Sequence, residues 1–255
     1  MVLESQRIGD FIDDARSHRY YLPAIRPGLV WTTDRSGRLF DSLLRGYPIG
    51  AMVRWRVPDE HFKDLRSKGL TFYEVDWKLD ARKPCGEEAD LGDPPSASVR
   101  GILASRECYG ILDGRQRATA LAIGMRGTYV REEPRKSGKE ANACPELELH
   151  INLLHGPAPG DDMKFALSFR ERSRATAEGE FWFRVGDILE IRDEQGLRDY
   201  RRSSGHADSE LFEDNLAALY NAVWLHSHIH FLTETGKDLD EAIRIFNRLH
   251  DLHCH

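Results

Sequence analysis

The chain is poor in cysteine. Four thiols (Cys85, Cys108, Cys144 and Cys254) are scattered over 255 residues, with no Cys-x-x-Cys pair. That spacing speaks against a disulfide-stapled scaffold or a zinc ribbon and fits reduced thiols in a cytoplasm. Long apolar runs are missing too. No stretch approaches the about 20 residues that cross a bilayer, and the opening MVLESQRIGD lacks a signal-peptide core. A cytoplasmic protein without membrane contact is the expectation. Excess positive charge is also absent. The net charge of −6 excludes a surface coated in positive charge but leaves a local basic site open. There is no Walker loop, no Rossmann glycine fingerprint and no Gly-x-Ser-x-Gly.

What is present describes a mixed globular chain. Forty per cent hydrophobic and 31% charged residues are enough for a real core, in one large domain or two small ones. RIGDFIDDA places Ile8, Phe11, Ile12 and Ala15 on one helical face. The segment TTDRSGRLFDSLLRGYPIG reads as a helix with a Leu39, Phe40, Leu43 and Leu44 stripe, stopped by Gly46 and Pro48. AMVRWRV alternates as a strand. Residues 58–107, rich in Pro, Gly and acid, read as an irregular insertion with a short strand near LTFYEVDW. CYGIL, LELHINLL, KFALSFR and HSHIHFLTE read as further strands. RQRATALAIGM is a helix with Ala118, Leu121, Ala122 and Met125 toward the core, and SELFEDNLAALYNAVW is another. KDLDEAIRIFNRLH is the last helix, with Asp238 as its cap and Glu241 in a capping-box position. The mixture indicates an α/β or α+β class.

One stretch carries chemistry. In YGILDGRQRATAL a strand ends at Asp113-Gly114 and a helix starts at once. Gly114 has no side-chain bulk, so backbone can approach a ligand closely. The helix start leaves N–H groups unpaired and carries positive partial charge, a favourable place for phosphate. Arg115 and Arg117 would add charge-assisted bonds to phosphate oxygens. Gln116 can donate to phosphate or orient a water. Asp113 can accept from a ribose hydroxyl, help hold magnesium or orient an attacking water. The plain alternative is that Asp113 caps the helix and the arginines pair with surface carboxylates.

Three stretches together resemble one family. LPAIRPGLVW with LFDSLLRGYPIG, YGILDGRQRATAL, and DLDEAIRIFNRL follow the motifs of the GmrSD-type restriction enzyme N-terminal domain family in order and approximate spacing, over roughly residues 7–249. The resemblance implies an α+β fold with a ParB/sulfiredoxin-like mixed core over about 1–205, interrupted by the 58–107 insertion. It also implies a helical portion over 206–255 that is short relative to the family. It implies a nucleotide-binding, in some members nucleotide-hydrolysing, module of anti-phage defence. Its Asp-Gly-Gln-Gln-Arg site maps to Asp113, Gly114, Arg115, Gln116 and Arg117, and its upstream Gln-Arg maps to Ile25 and Arg26. On this basis Asp113 and Gln116 are the expected catalytic residues, with Asp113 also toward magnesium. Arg26, Gly114, Arg115 and Arg117 are the expected contacts to a nucleoside triphosphate. Arg115 and Ile25 stand where the family has glutamine, which favours binding over hydrolysis. The family's later Asn is His250 here and no His/Asn nuclease constellation is visible. The resemblance therefore implies a separate nuclease subunit, a short or degraded member, or binding without cutting. A non-enzymatic module that grips DNA or a partner with the same arginine turn is the competing expectation.

Other residues invite readings of their own. His226, His228 and His230 alternate along one strand, and His250, His253, Cys254 and His255 close the chain. A metal site would need these segments to meet. Trp31 is expected to line the pocket or pack under its loop. Arg45 and Arg248 are read as bonding helix-end carbonyls or a phosphate.

Overall fold

The computed structural model describes residues 1–23, 31–57, 72–75, 78–80, 107–130, 145–238, 240–242, 244–245 and 248. Arg26, Ile25, Cys85, Cys144, Trp77, His250, His253, Cys254 and His255, with most of the 58–107 insertion, lie outside those residues. The fold is α+β and is built on two sheets.

The first sheet runs in the order β1 (Val2–Gln6), β11 (Ile229–Glu234), β3 (Met52–Val57), β6 (Cys108–Asp113), β2 (Tyr20–Pro23) and β4 (Phe72–Glu74). The β11–β3 and β2–β6 pairings are parallel and the others antiparallel. The second sheet runs β10 (Trp182–Arg184), β8 (Glu146–Asn152), β7 (Thr128–Val130) and β5 (Lys78–Asp80), and β9 (Leu167–Arg170) also pairs with β8. β4 lies at the LTFYEVDW strand expected within the insertion. β11 derives from beyond residue 206 and sits between β1 and β3, so that portion supplies a strand of the first sheet as well as helix.

Helix α1 (Ile8–Arg16) buries the expected Ile8, Phe11, Ile12 and Ala15. Helix α2 (Thr33–Leu44) starts where the Thr32 side chain accepts the Arg35 N–H, and it ends before Gly46, whose φ is +73°. It buries Leu39, Phe40 and Leu43, and Leu44 packs partly buried beside them. Helix α3 (Arg115–Arg126) departs from the expected single stripe. Every residue from Ala118 to Met125 is buried. It packs against α1, α2, β8 and the 3₁₀ helix Val185–Glu190, so it has no wet face over that span. Small residues make this approach possible. A Cβ on Gly124 would strike the Phe40 ring, and one on Gly186 would strike the Met125 carbonyl.

Past the second sheet come α4 (Glu194–Ser203) and α5 (Glu210–Tyr220), which runs into a π-helical turn at Asn221–Leu225. Residues 240–242, 244–245 and 248 are helical, and Asp238 accepts the Glu241 N–H as expected of a cap.

The first sheet is held by a buried cation that alternation alone would place in solvent. Arg54, 7% exposed on central β3, donates to Thr233 Oγ1 on β11, Tyr20 Oη on β2 and Glu4 Oε2 on β1. Its guanidinium lies 4.0 Å from the Tyr109 ring centre and 4.4 Å from that of Phe231. Hydrogen bonds from Thr233 and Arg54 hold the Glu4 carboxyl below its usual range. Burial pushes the Tyr20 phenol up, so it stays a neutral donor to Gln6.

Candidate functional site

The Asp-Gly turn is built as its sequence demands. β6 ends at Asp113, which pairs with Val53 beside a register shift in the β3–β6 ladder. Gly114 then turns the chain at φ +91°, ψ 13°, and acts as the N-cap of α3. Only glycine suits this position. A side chain would meet both the left-handed penalty and the buried Met52, whose Cβ and Sδ lie 2.9 Å from where a Cβ would stand. Gly114 has no side chain, so the N-cap residue itself contributes no side-chain cap bond. The helix start is a mouth flanked by Asp113, Arg115, Gln116 and Arg117, each half-buried.

Arg117 is the side chain that organises the mouth. Its Nη1 donates to the Ile49 carbonyl at 2.8 Å, and its Nη2 reaches Asp113 Oδ2 at 3.4 Å. Gly50, at φ +77°, brings backbone against the same guanidinium, within 3.0 Å of Nη1 for an added Cβ. Burial lowers the Arg117 pKa, and the Asp113 carboxylate opposes that shift. Arg117 stays a cation regardless, because guanidinium pKa values lie so far above neutrality. Among the described residues, two of its five donors are in use. The YPIG end of one motif and the Asp-Gly turn of the other, 68 residues apart, thus meet through this one side chain.

The remaining expectations separate. Arg26 lies outside the described residues. Trp31 packs partly buried against the core, and Arg35 lies over its ring at 4.6 Å. Arg45 reaches Asp41, the Asp162 carbonyl and Tyr47 Oη, so it ties α2 to the 160s loop. Arg248 is exposed. His230 shares a 2.8 Å hydrogen bond with Ser5, and the His226 and His228 rings meet edge-on at 5.4 Å. Among the described residues, no three His, Cys, Asp or Glu side chains gather as a metal site. Sequence reasoning overlooked Asp41. It is 5% exposed, and its Oδ1 accepts the N–H groups of Lys164 and Phe165. An aspartate inside a helix gives no local sign that a distant loop will use it.

The turn, the Ile49 contact and the α2 clamp account for two of the three sequence motifs in one geometry. The profile of the GmrSD restriction endonuclease N-terminal domain matches residues 8–251. The chain belongs to this family. The match spans nearly the whole chain, so the described strands other than β1, and the Asp-Gly turn, fall within the GmrSD N-terminal domain. No curated protein matches it. No helix among the described residues of this GmrSD N-terminal domain is long and apolar enough to cross a membrane.

Proposed function

We propose that this domain serves a restriction system by binding a nucleoside triphosphate with magnesium at the Asp113–Arg117 turn. The observation that carries the reading is Gly114, held left-handed over Met52 at the start of α3, beside the half-buried Arg117 guanidinium. The donor set fits a polyphosphate. Backbone N–H groups at the helix mouth and Arg117 offer several donors toward one small volume, and Arg115 adds charge at its rim. Asp113, half-exposed at the strand end, is the carboxylate placed to hold magnesium against phosphate oxygens.

Magnesium supplies charge neutralisation on the phosphates when bound. Gln116 is the group that orients water, and hydrolysis rests on it because Arg115 stands where the family has an amide. A ParB/sulfiredoxin-like core belongs to this reading, as do DNA and a separate nuclease subunit as partners.

Thermal shift on the whole chain with ATP, GTP, CTP and UTP plus magnesium tests it, with Arg115→Ala and Arg117→Lys as variants. Each protein is compared with its own unliganded Tm, which removes any stability loss from disturbing the Ile49 contact. A nucleotide at 100 times its Kd stabilises by about 2.7 kcal/mol. A shift in the wild type that shrinks in both variants supports the turn as the site. No shift with any nucleotide sinks the reading. DNA binding that weakens steeply with salt would then assign the turn to backbone phosphate.

A further inference from the structure

A second concavity lies apart from the turn, and no turn residue lines it. A cleft of about 710 Å³ opens between the N-terminal half of α2 and the core-side face of β7, β8 and β9. Its lining includes Leu147, Leu149 and Leu167 with the rings of Tyr129 and Phe169, although the two β8 leucines are buried. The two rings stand 6.0 Å apart, tilted by 56°. Its rim is polar: Asp34 and Arg38 from α2, with Asp161 and Arg174 opposite. Its volume falls within the about 300–1,000 Å³ of small-molecule sites, and its exposed lining is mainly polar.

Gly37 is the second observation. It occupies the middle of α2, where glycine costs about 0.5–1 kcal/mol relative to alanine. Several other glycines have a reason. Gly9 faces the Trp224 ring, Gly124 faces Phe40, and Gly114 needs its positive φ. Gly37, itself buried, has neither a positive φ nor any atom of the described residues within 4 Å of an added Cβ, and it lines the cleft. Neither packing nor backbone geometry calls for it. What it does is keep the cleft open.

The rim charges narrow the occupant. Arg38 is engaged with both carboxylate oxygens of Asp162 at 2.6 Å. Asp34 and Asp161 line the cleft with Arg174, and Asp161 Oδ1 accepts the Met163 N–H; two carboxylates to one further guanidinium disfavour a phosphorylated ligand. Carboxylates accept from hydroxyl and amino groups, and tilted aromatic rings seat a flat ring. We propose that this cleft binds an unphosphorylated nucleoside, its base against Tyr129 and Phe169 and its hydroxyl or amino groups donating to Asp34 and Asp161. The site is separate from the Asp-Gly turn and does not depend on how that turn is read.

Calorimetric titration of the full chain with adenosine, guanosine, cytidine and thymidine tests it, using Gly37→Leu, Asp34→Asn and Arg115→Ala. At least one nucleoside should bind the wild type, and its 5′-monophosphate should bind more weakly. Gly37→Leu, which fills the cleft and adds a good helix former, should weaken binding at least tenfold while holding or raising Tm. Asp34→Asn should weaken it several-fold with an unchanged fold, and Arg115→Ala should leave it intact. Four silent nucleosides, binding that survives Gly37→Leu and Asp34→Asn, tighter binding of the monophosphate, or loss in Arg115→Ala would each overturn the proposal.

Discussion

Replacing Gly114 by alanine should be far more damaging than the same change at Gly46, and the difference can be worked out. Both glycines have positive φ, +91° and +73°. A Cβ in the left-handed region costs about 1–2 kcal/mol, and at Gly46, with nothing within 4 Å, that is the whole effect. At Gly114 the Cβ also drives into Met52, which is 0% exposed and has no open side to retreat to. Overpacking of this kind adds about 1–3 kcal/mol, for a total of about 2–5 kcal/mol. Urea unfolding of the two variants, compared at constant m-value, measures the gap. Adding Met52→Ala to Gly114→Ala should recover about 1 kcal/mol of the summed losses, because the collision partner is gone. Equal losses at the two glycines, or strict additivity with Met52→Ala, would refute the packing account of the turn.

Asp41→Ala strands the N–H groups of Lys164 and Phe165 and should cost about 2–4 kcal/mol by chemical denaturation, with Asp41→Asn retaining part of that through its carbonyl oxygen. Arg54→Ala should cost about 3–5 kcal/mol, read the same way, because Tyr20 and Thr233 lose a buried partner; a loss below 1 kcal/mol would show the cage to be ornamental. His150 and His228 both have pKa values lowered from 6.5, His150 by burial first and His228 by burial and then by His226 and His230. The unfolded chain therefore takes up more protons below pH 6.5, so stability is retained above that pH and falls as pH drops toward the folded values. His150→Gln should flatten the stability slope between pH 7 and 5, and an unchanged slope would remove His150 from the cause.

How much of this was legible depends on the distance over which each feature is decided. The Asp-Gly turn, the α1 stripe and the Asp238 cap are local, and residues a few positions apart suffice to write them. α3 was only half legible. Periodicity reveals one buried face, whereas Ala120, Ile123 and Gly124 are buried by elements that contact the other sides. β1 gave no sign of itself, because Glu4 is opposite Phe231, far along the chain. Arg54 fits the alternation of its strand yet is buried, since its environment comes from three other strands. The Arg117–Ile49 contact belongs to the same class. The charge was visible at the turn, but its anchor was not.

The position of β11 has a bearing on biosynthesis. β1 leaves the ribosome long before β11, its sheet partner among the described residues, which ends at Glu234. Until then β1 has no strand to join, and one edge of β3 waits for the same late arrival. The first sheet is therefore completed only after Glu234 has emerged, and nascent chains that stop short of Ile229 should carry two open strand edges and be the species that chaperones and proteases meet.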